Sequence, residues 1–409
     1  MAIDKAMAEE RSYLDYAATA PMRPEVLEAM LPYMQAASGF GNANTLYAEG
    51  KQAAHAVEKA RSQIARAIGA TPPEIVFTSG GTESDNAATY GITQGIYDKF
   101  GAAGNSTGSG ADSYKGHVIC SAFEHDAVLE PVQTLKRLGY EVTLLAPNRD
   151  GFVEPDALES AMRADTVLVS IMAANNEIGT VQPIAELTRV AHDHGALFHT
   201  DAVQALGKIA FDVRALDVDA ASFSAHKIGG PMGVGALYLK RGVPFAQQQR
   251  GGGQEGKRRS GTLDVCGIVG FGEAAKLACE SDALSEKASM LVQLRDDAAK
   301  RLTALSKRVS LTVPIPARDV QNHLPGMLNI LVSGIESQTM VLRLDEAGVA
   351  TSGGSACSTG SLDPSHVLTA IGISDDAAFG ALRVSMGWNT TKQDVDKFVD
   401  AFTKCIIMY

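Results

Sequence analysis

The chain has 409 residues, 45% hydrophobic and 20% charged, with a formal net charge of −11. Two domains are expected at this length, and the acidic balance argues against nucleic acid or an anionic membrane as partner. Five cysteines (Cys120, Cys266, Cys279, Cys357 and Cys405) show no metal-type spacing, and the odd count suits a reducing cytoplasm. The start MAIDKAMAEERS has no secretory apolar run, and no stretch of 18 apolar residues predicts a membrane span.

From about residue 50 to 240, short β-rich runs alternate with helical patterns. In order the runs read EIVFTS, HVICSAF, TVLVSIMAAN, ALFHTDA, AASFSAH and GALYLK. Stretches between them, such as Asp126–Leu138 and Pro183–His194, are long enough for helices. The alternation predicts an α/β fold with a mainly parallel sheet covered on both faces. Gly104–Gly116 reads as a polar, glycine-rich surface insertion. The texture changes near Cys266, where a helical pattern over Gly270–Ser306 leads into a smaller α+β region. The predicted division is a large domain over 21–265 and a small one from 1–20 and 266–409.

Two motifs are decoys. Gly251–Gly256, GGGQEG, matches a dinucleotide pattern but follows QQQR rather than a strand and precedes KRRSGT rather than a helix. It also nearly matches a phosphate loop, with Arg258 where a magnesium-binding hydroxyl belongs. His192, His194 and His199 fall on a helix end and a strand with no complete ligand set, so ordinary structural histidines are expected.

Ligands of parallel α/β sheets sit beyond the carboxyl ends of the strands. Five such ends carry polar groups: SGGTESDN, EHDAV, NNEIG, DAVQALGK and SAHKIGG. Any one is readily a cap or turn; all five together predict one polar pocket. In SGGTES, Gly80 and Gly81 admit close backbone approach and Thr82 is expected to cap a helix whose free N–H groups suit an anion. A plain capped helix start explains this motif equally well alone. Ser224 and His226 add donors for the same phosphate. Asp201, at a buried strand end, needs a cation, which a protonated ring nitrogen supplies. Lys227, beside glycines, is placed to bind an aldehyde covalently. A phosphate site, a pyridinium partner and such a lysine specify pyridoxal 5′-phosphate.

These stretches resemble the cysteine desulfurases of the class V aminotransferase group. The matching segments include YLDYAATAP, FTSGGTESDNAA, ANNEIGTVQP, FHTDAVQALGK, SFSAHKIGGPMGVGALY, RSGTLDV, SGGSACSTGSLDPSHVL and LRVSMG, in family order to about residue 388. The resemblance implies a fold-type I pyridoxal-phosphate enzyme. Lys227 would carry the cofactor and move the substrate Cα proton. Asp201 would keep the pyridine nitrogen protonated, and Gln204 would bond the ring hydroxyl. His125 would stack on the ring and handle protons at the substrate thiol. Gly81, Thr82, Ser224 and His226 would hold the phosphate. Thr262 would reach the partner subunit's phosphate, implying a homodimer. Arg383, helped by Asn176, would bind the substrate carboxylate.

In such enzymes a loop cysteine, here Cys357 in TSGGSACSTGS, takes the sulfur of L-cysteine as a persulfide and leaves alanine. Glycine and serine flanks suit a mobile loop that must serve both the cofactor and a protein acceptor, such as an iron–sulfur scaffold. The other four cysteines read as packing residues. Two departures stand out. The usual Asn-Pro-Ser-Ser-x-His segment is NANTLY here, with Ala43 and Tyr47 replacing proline and histidine, so a different pocket mouth is expected. Between GGGQE and RSGT the chain reads GKR, which displaces a glycine. The competing readings are another pyridoxal-phosphate enzyme of the same fold, such as a selenocysteine lyase or an aminotransferase, and a non-catalytic scaffold or regulatory subunit; Cys357 argues against the aminotransferase and the intact Lys227 against the scaffold.

Overall fold

The computed structural model describes residues 11–35, 39–101, 115–353 and 363–407. Cys357 lies outside the described residues. In chain order the strands are β1 (Ser12–Tyr13), β2 (Ile75–Thr78), β3 (Gly116–Ser121) and β4 (Tyr140–Leu145). They continue with β5 (Thr166–Ser170), β6 (Leu197–Asp201), β7 (Ala220–Ser224) and β8 (Gly235–Leu239). The last four are β9 (Val309–Leu311), β10 (Met327–Val332), β11 (Val349–Ala350) and β12 (Ala381–Ser385).

Seven strands form the main sheet in the order β2-β8-β7-β6-β5-β3-β4. β8 runs antiparallel to both its neighbours, and every other pair is parallel. β2 is therefore parallel to β7, and the five polar strand ends do share one edge of the sheet. The inner strands are buried at nearly every position, as helices on both faces require. β4 was not among the expected strands. It is one of the two edge strands, with Glu141 and Leu144 exposed and Glu141 and Thr143 interrupting the apolar run.

One face of the helix Ala48–Ala67 buries Ala53, Val57, Ala60 and Ile64, the spacing of an amphipathic helix. It packs on the helix Val265–Ala278 so closely that a Cβ on Gly272 would sit 2.6 Å from the Ala60 Cα. Ile268, Phe271, Ala274 and Ala275 therefore join the large core. These residues lie beyond the expected boundary at 265/266 and still pack with the large core. The chain changes core only within the next helix, Ser281–Leu305, whose Leu291, Ala298 and Leu302 pack with Leu328, Ile330, Leu382 and Phe398. The second core rests on the antiparallel sheet β12-β10-β9. β1 pairs in parallel with β11, which ties the N-terminal segment to this part. After residue 363 the chain returns to the large core through Val367, Leu368 and Ile371.

Candidate active site

A cavity of about 240 Å³ opens where the polar strand ends meet β12. Of the twelve candidate residues, ten line it: Gly81, Thr82, His125, Asn176, Asp201, Gln204, Ser224, His226, Lys227 and Arg383. Thr262 is exposed and lies apart from this cavity. Cys357 is outside the described residues.

The anion end is built by the β2 turn. Gly80, at φ +154°, takes a conformation open to glycine and is itself the N-cap of the helix Gly81–Phe100. Thr82 is thus a helical residue and not the expected cap, because Gly80 already occupies the turn. Thr78 Oγ1 bonds Ser84 Oγ at 2.8 Å and fixes the turn. The start of β8 presses on it: a Cβ on Gly235 would meet the Gly80 Cα at 2.6 Å. His226 Nδ1 bonds Thr19 Oγ1 at 3.1 Å. Burial, with the charges of Lys227 and Lys208, lowers the His226 pKa to about 4, so the ring is neutral and its N–H serves as a donor.

The opposite polar group is Asp201, at the buried end of β6. Its Oδ1 accepts from the Val203 amide at 2.9 Å. Burial pushes its pKa up, and the charges of His125 and Lys227 oppose that rise. Two further buried acids stand near it and escaped the sequence reading. Asp85, which lines the cavity, has an Oδ1 with no hydrogen-bond partner among the described residues, 3.7 Å from His199 Nε2. Burial raises the Glu124 pKa to about 8; its Oε1 accepts from the Met172 amide at 2.8 Å. Both lie inside the quoted strand ends SGGTESDN and EHDAV, but nothing in those stretches marked either acid as buried. His199 is the expected structural histidine, bonded to Ser170 and Ser222 at 2.8 and 2.9 Å. His192 and His194 pair with Asp219 and Glu159, and no metal-type cluster occurs among the described residues.

Lys227 follows β7 in a single 3₁₀ turn, Ala225–Lys227. Its Nζ donates to the Ala17 and Ala18 carbonyls at 2.6 and 2.7 Å. The neighbouring amine of Lys208 has its pKa lowered to about 7 by burial and by the charges of Lys227 and Arg383. Gln204 links the two, donating to the Ala17 carbonyl at 3.0 Å and accepting from Lys208. His125 caps the helix Asp126–Arg137 and its Nδ1 accepts from the Ala127 amide at 3.1 Å. In the neutral ring this leaves the proton on Nε2.

Arg383, on β12, is almost fully buried. Its Nη2 donates to Asp15 Oδ1 at 2.7 Å and its Nη1 to the Asn176 carbonyl at 3.0 Å. Its Nε and the side-chain Oδ1 of Asn176 have no hydrogen-bond partner among the described residues. Asn175 instead holds the turn, accepting from the Glu177 and Ile178 amides. Both borders of the undescribed segment 354–362 are anchored here. Ser352 exchanges backbone bonds with Arg383 at 3.2 and 2.7 Å. Ser365 Oγ donates to Glu177 Oε2 at 2.6 Å, and His366 Nε2 bonds the Glu124 carbonyl at 2.8 Å.

The GGGQEG decoy has a structural role. Glu255, at φ +50°, is buried and forms a two-pronged pair with Arg61, both bonds 2.7 Å, while Oε2 also accepts from the Phe77 amide at 2.8 Å. The NANTLY segment forms a local turn around Asn42 and leaves Leu46 and Tyr47 exposed, and none of Asn42–Tyr47 lines the cavity.

The aminotransferase class-V family model matches residues 12–398. The cysteine desulfurase IscS of Dictyoglomus turgidum is 44% identical over 395 residues, covering 96% of this chain and 94% of that protein. The cysteine desulfurase IscS of Methanosarcina thermophila is 42% identical, covering 96% and 91%. A solved NifS-like protein superposes with a TM-score of 0.85 at 35% identity, covering 98% of this chain and all of that one. DndA from Streptomyces lividans does so with a TM-score of 0.73 at 34% identity, covering 91% and 99%. The cofactor of this family is pyridoxal 5′-phosphate. The cavity suits it: a helix N-terminus for the phosphate, buried carboxyls for a ring N–H, and an amine for the aldehyde. The chain belongs to the class-V aminotransferase family and, within it, to the cysteine desulfurases.

Proposed function

We propose that this chain takes sulfur from L-cysteine, releasing L-alanine and leaving a persulfide on Cys357. The substrate C–S bond breaks and an S–S bond forms. The Cβ gains a hydrogen in place of the thiol, and the transferred sulfur is oxidised to the sulfane level while that carbon is reduced, so no outside redox partner is needed. The observation that carries this reading is the convergence of Lys227, Asp201 and Arg383 on one cavity, with Ser352 and Ser365 anchored at its border.

Gly81, Thr82, Ser224 and His226 hold the cofactor's phosphate, and Asp201 holds its ring nitrogen. Bound pyridoxal phosphate supplies an electron-accepting ring that stabilises negative charge at the substrate Cα. Arg383 binds and orients the substrate carboxylate, with Asn176 beside it. Lys227, once released from the Ala17 and Ala18 carbonyls, moves the proton at Cα. His125, with its proton on Nε2, exchanges a proton at the substrate sulfur. Cys357 receives the sulfur as a thiolate.

The sulfur passes to a protein acceptor, and the IscS names of the relatives favour iron–sulfur cluster assembly. The working form is a homodimer in which Thr262 serves the partner's phosphate. Exposed Leu27, Leu31, Met34, Phe40, Leu46 and Tyr47, all within one stretch of chain, support a subunit interface. Four unpaired cysteines among the described residues support a reducing cytoplasm, and no described helix is long and apolar enough to cross a membrane. The test is to incubate the holoenzyme with L-cysteine without reductant and map the persulfide by mass spectrometry. Sulfur on Cys357 is the expected result; sulfur on another cysteine, or none, overturns the assignment.

A further inference from the structure

A second cavity, of about 230 Å³, abuts the first across Ala17 and Lys227. Arg23, Lys208 and Lys287 line it, and neither aspartate nor glutamate does. In a chain of net charge −11 that is an unexpected grouping. The three cations contact only neutral groups among the described residues. Arg23 Nε donates to the Ile228 carbonyl at 3.2 Å, Lys208 to Gln204 Oε1, and Lys287 Nζ lies 3.9 Å from the Met290 sulfur. Burial lowers the pKa of all three, and the Arg23 charge lowers that of Lys287 further. None of the three is in a salt bridge among the described residues, and of the carboxylates only Glu25 opposes the Arg23 charge, from outside the cavity lining; such buried or half-buried like charges are costly unless something negative enters between them.

Most of the remaining wall is apolar, including Leu284, Leu291 and the face of Trp388, and Tyr16, Ser385 and the active-site Lys227 complete it. The Arg23 guanidinium stands 5.2 Å from the centroid of that indole, whose N–H is fixed on the Pro21 carbonyl at 3.0 Å. The space is smaller than that of a drug-sized pocket, which starts at about 300 Å³. We propose that the cavity behind Lys227 binds a small organic anion, a carboxylate or phosphate carried on an apolar or aromatic body, held by Arg23, Lys208 and Lys287 with its body against Trp388. This site is separate from the substrate position at Arg383 and does not depend on the reading of the sulfur chemistry.

Trp388 is the single tryptophan of the chain, so its fluorescence reports on this cavity directly. The experiment titrates the holoenzyme with inorganic phosphate, benzoate and phenyl phosphate. Saturable change is expected, with phenyl phosphate binding at least tenfold tighter than inorganic phosphate. Lys287→Gln and Arg23→Gln, each checked for folding by circular dichroism, should weaken phenyl phosphate at least fivefold, whereas Arg383→Gln should leave it bound. Absence of any saturable change overturns the proposal. So does loss of binding in Arg383→Gln with retention in Lys287→Gln, which places the anion in the substrate cavity.

Discussion

Asp15 Oδ1 accepts a hydrogen bond from Arg383 Nη2 at 2.7 Å, joining a residue just after β1 to one on β12 across the mouth of the active site. The pair fixes the guanidinium, whose Nε is buried without a hydrogen-bond partner among the described residues. A hydrogen bond to a charged group contributes about 1.5–3 kcal/mol. Asp15→Ala is therefore expected to raise the KM for L-cysteine roughly tenfold or more with a smaller change in kcat, and Asp15→Asn to recover part of the loss. Steady-state kinetics check this. A loss confined to kcat would show that Asp15 does not position Arg383 for binding.

Two lysines are connected through Gln204 and the Ala17 carbonyl beside the cavity. Lys227 reaches the cavity but donates to two carbonyls, whereas Lys208 has its pKa lowered to about 7. Only Lys227 lines the cavity that holds Asp201 and the phosphate end. Borohydride reduction of the holoenzyme followed by peptide mapping should mark Lys227, and Lys227→Ala should bring alanine production to background. A mark on Lys208 would reassign the attachment.

Glu255 and Arg61 form a buried pair that also pins the β2 backbone. Removing one partner of such a pair leaves an uncompensated charge and costs about 3–5 kcal/mol. Glu255→Ala should lower the urea midpoint accordingly, and the double variant with Arg61→Met should recover much of it. If the double variant were as unstable as the sum of the singles, the two side chains would not be coupled.

Glu124 is held neutral by burial, its pKa raised from 4.5 to about 8. Between these values the unfolded chain releases a proton that the folded chain keeps. This contribution to stability is full below the lower value, falls as pH rises, and levels off above the higher one. Unfolding midpoints across that window should fall less steeply for Glu124→Gln than for the parent. Equal slopes would remove Glu124 from the set of neutral buried acids.

The residues that meet at the cavity were legible in the sequence because local order sets them. Strands of a parallel sheet end on one edge, so polar groups following apolar runs are delivered to a common place whatever the details of packing. That is why Asp201, Ser224 and Lys227 could be found without coordinates. Glu124 and Asp85 were missed because a buried acid and an exposed one look alike in a sequence; only the surrounding atoms decide which stays neutral.

The lone helix Val265–Ala278 shows the same limit for the fold. Its composition changes at Cys266, yet its small residues fit the helix Ala48–Ala67, more than 200 positions earlier, and carry it into the large core. The amino-acid order thus determined the fold class, the site's polar groups and the family. Tertiary structure alone decided that Asp15 meets Arg383 and that Arg23, Lys208 and Lys287 line one cavity with Trp388. Such pairings join residues hundreds of positions apart, and their energies depend on burial and distance, which no local pattern encodes.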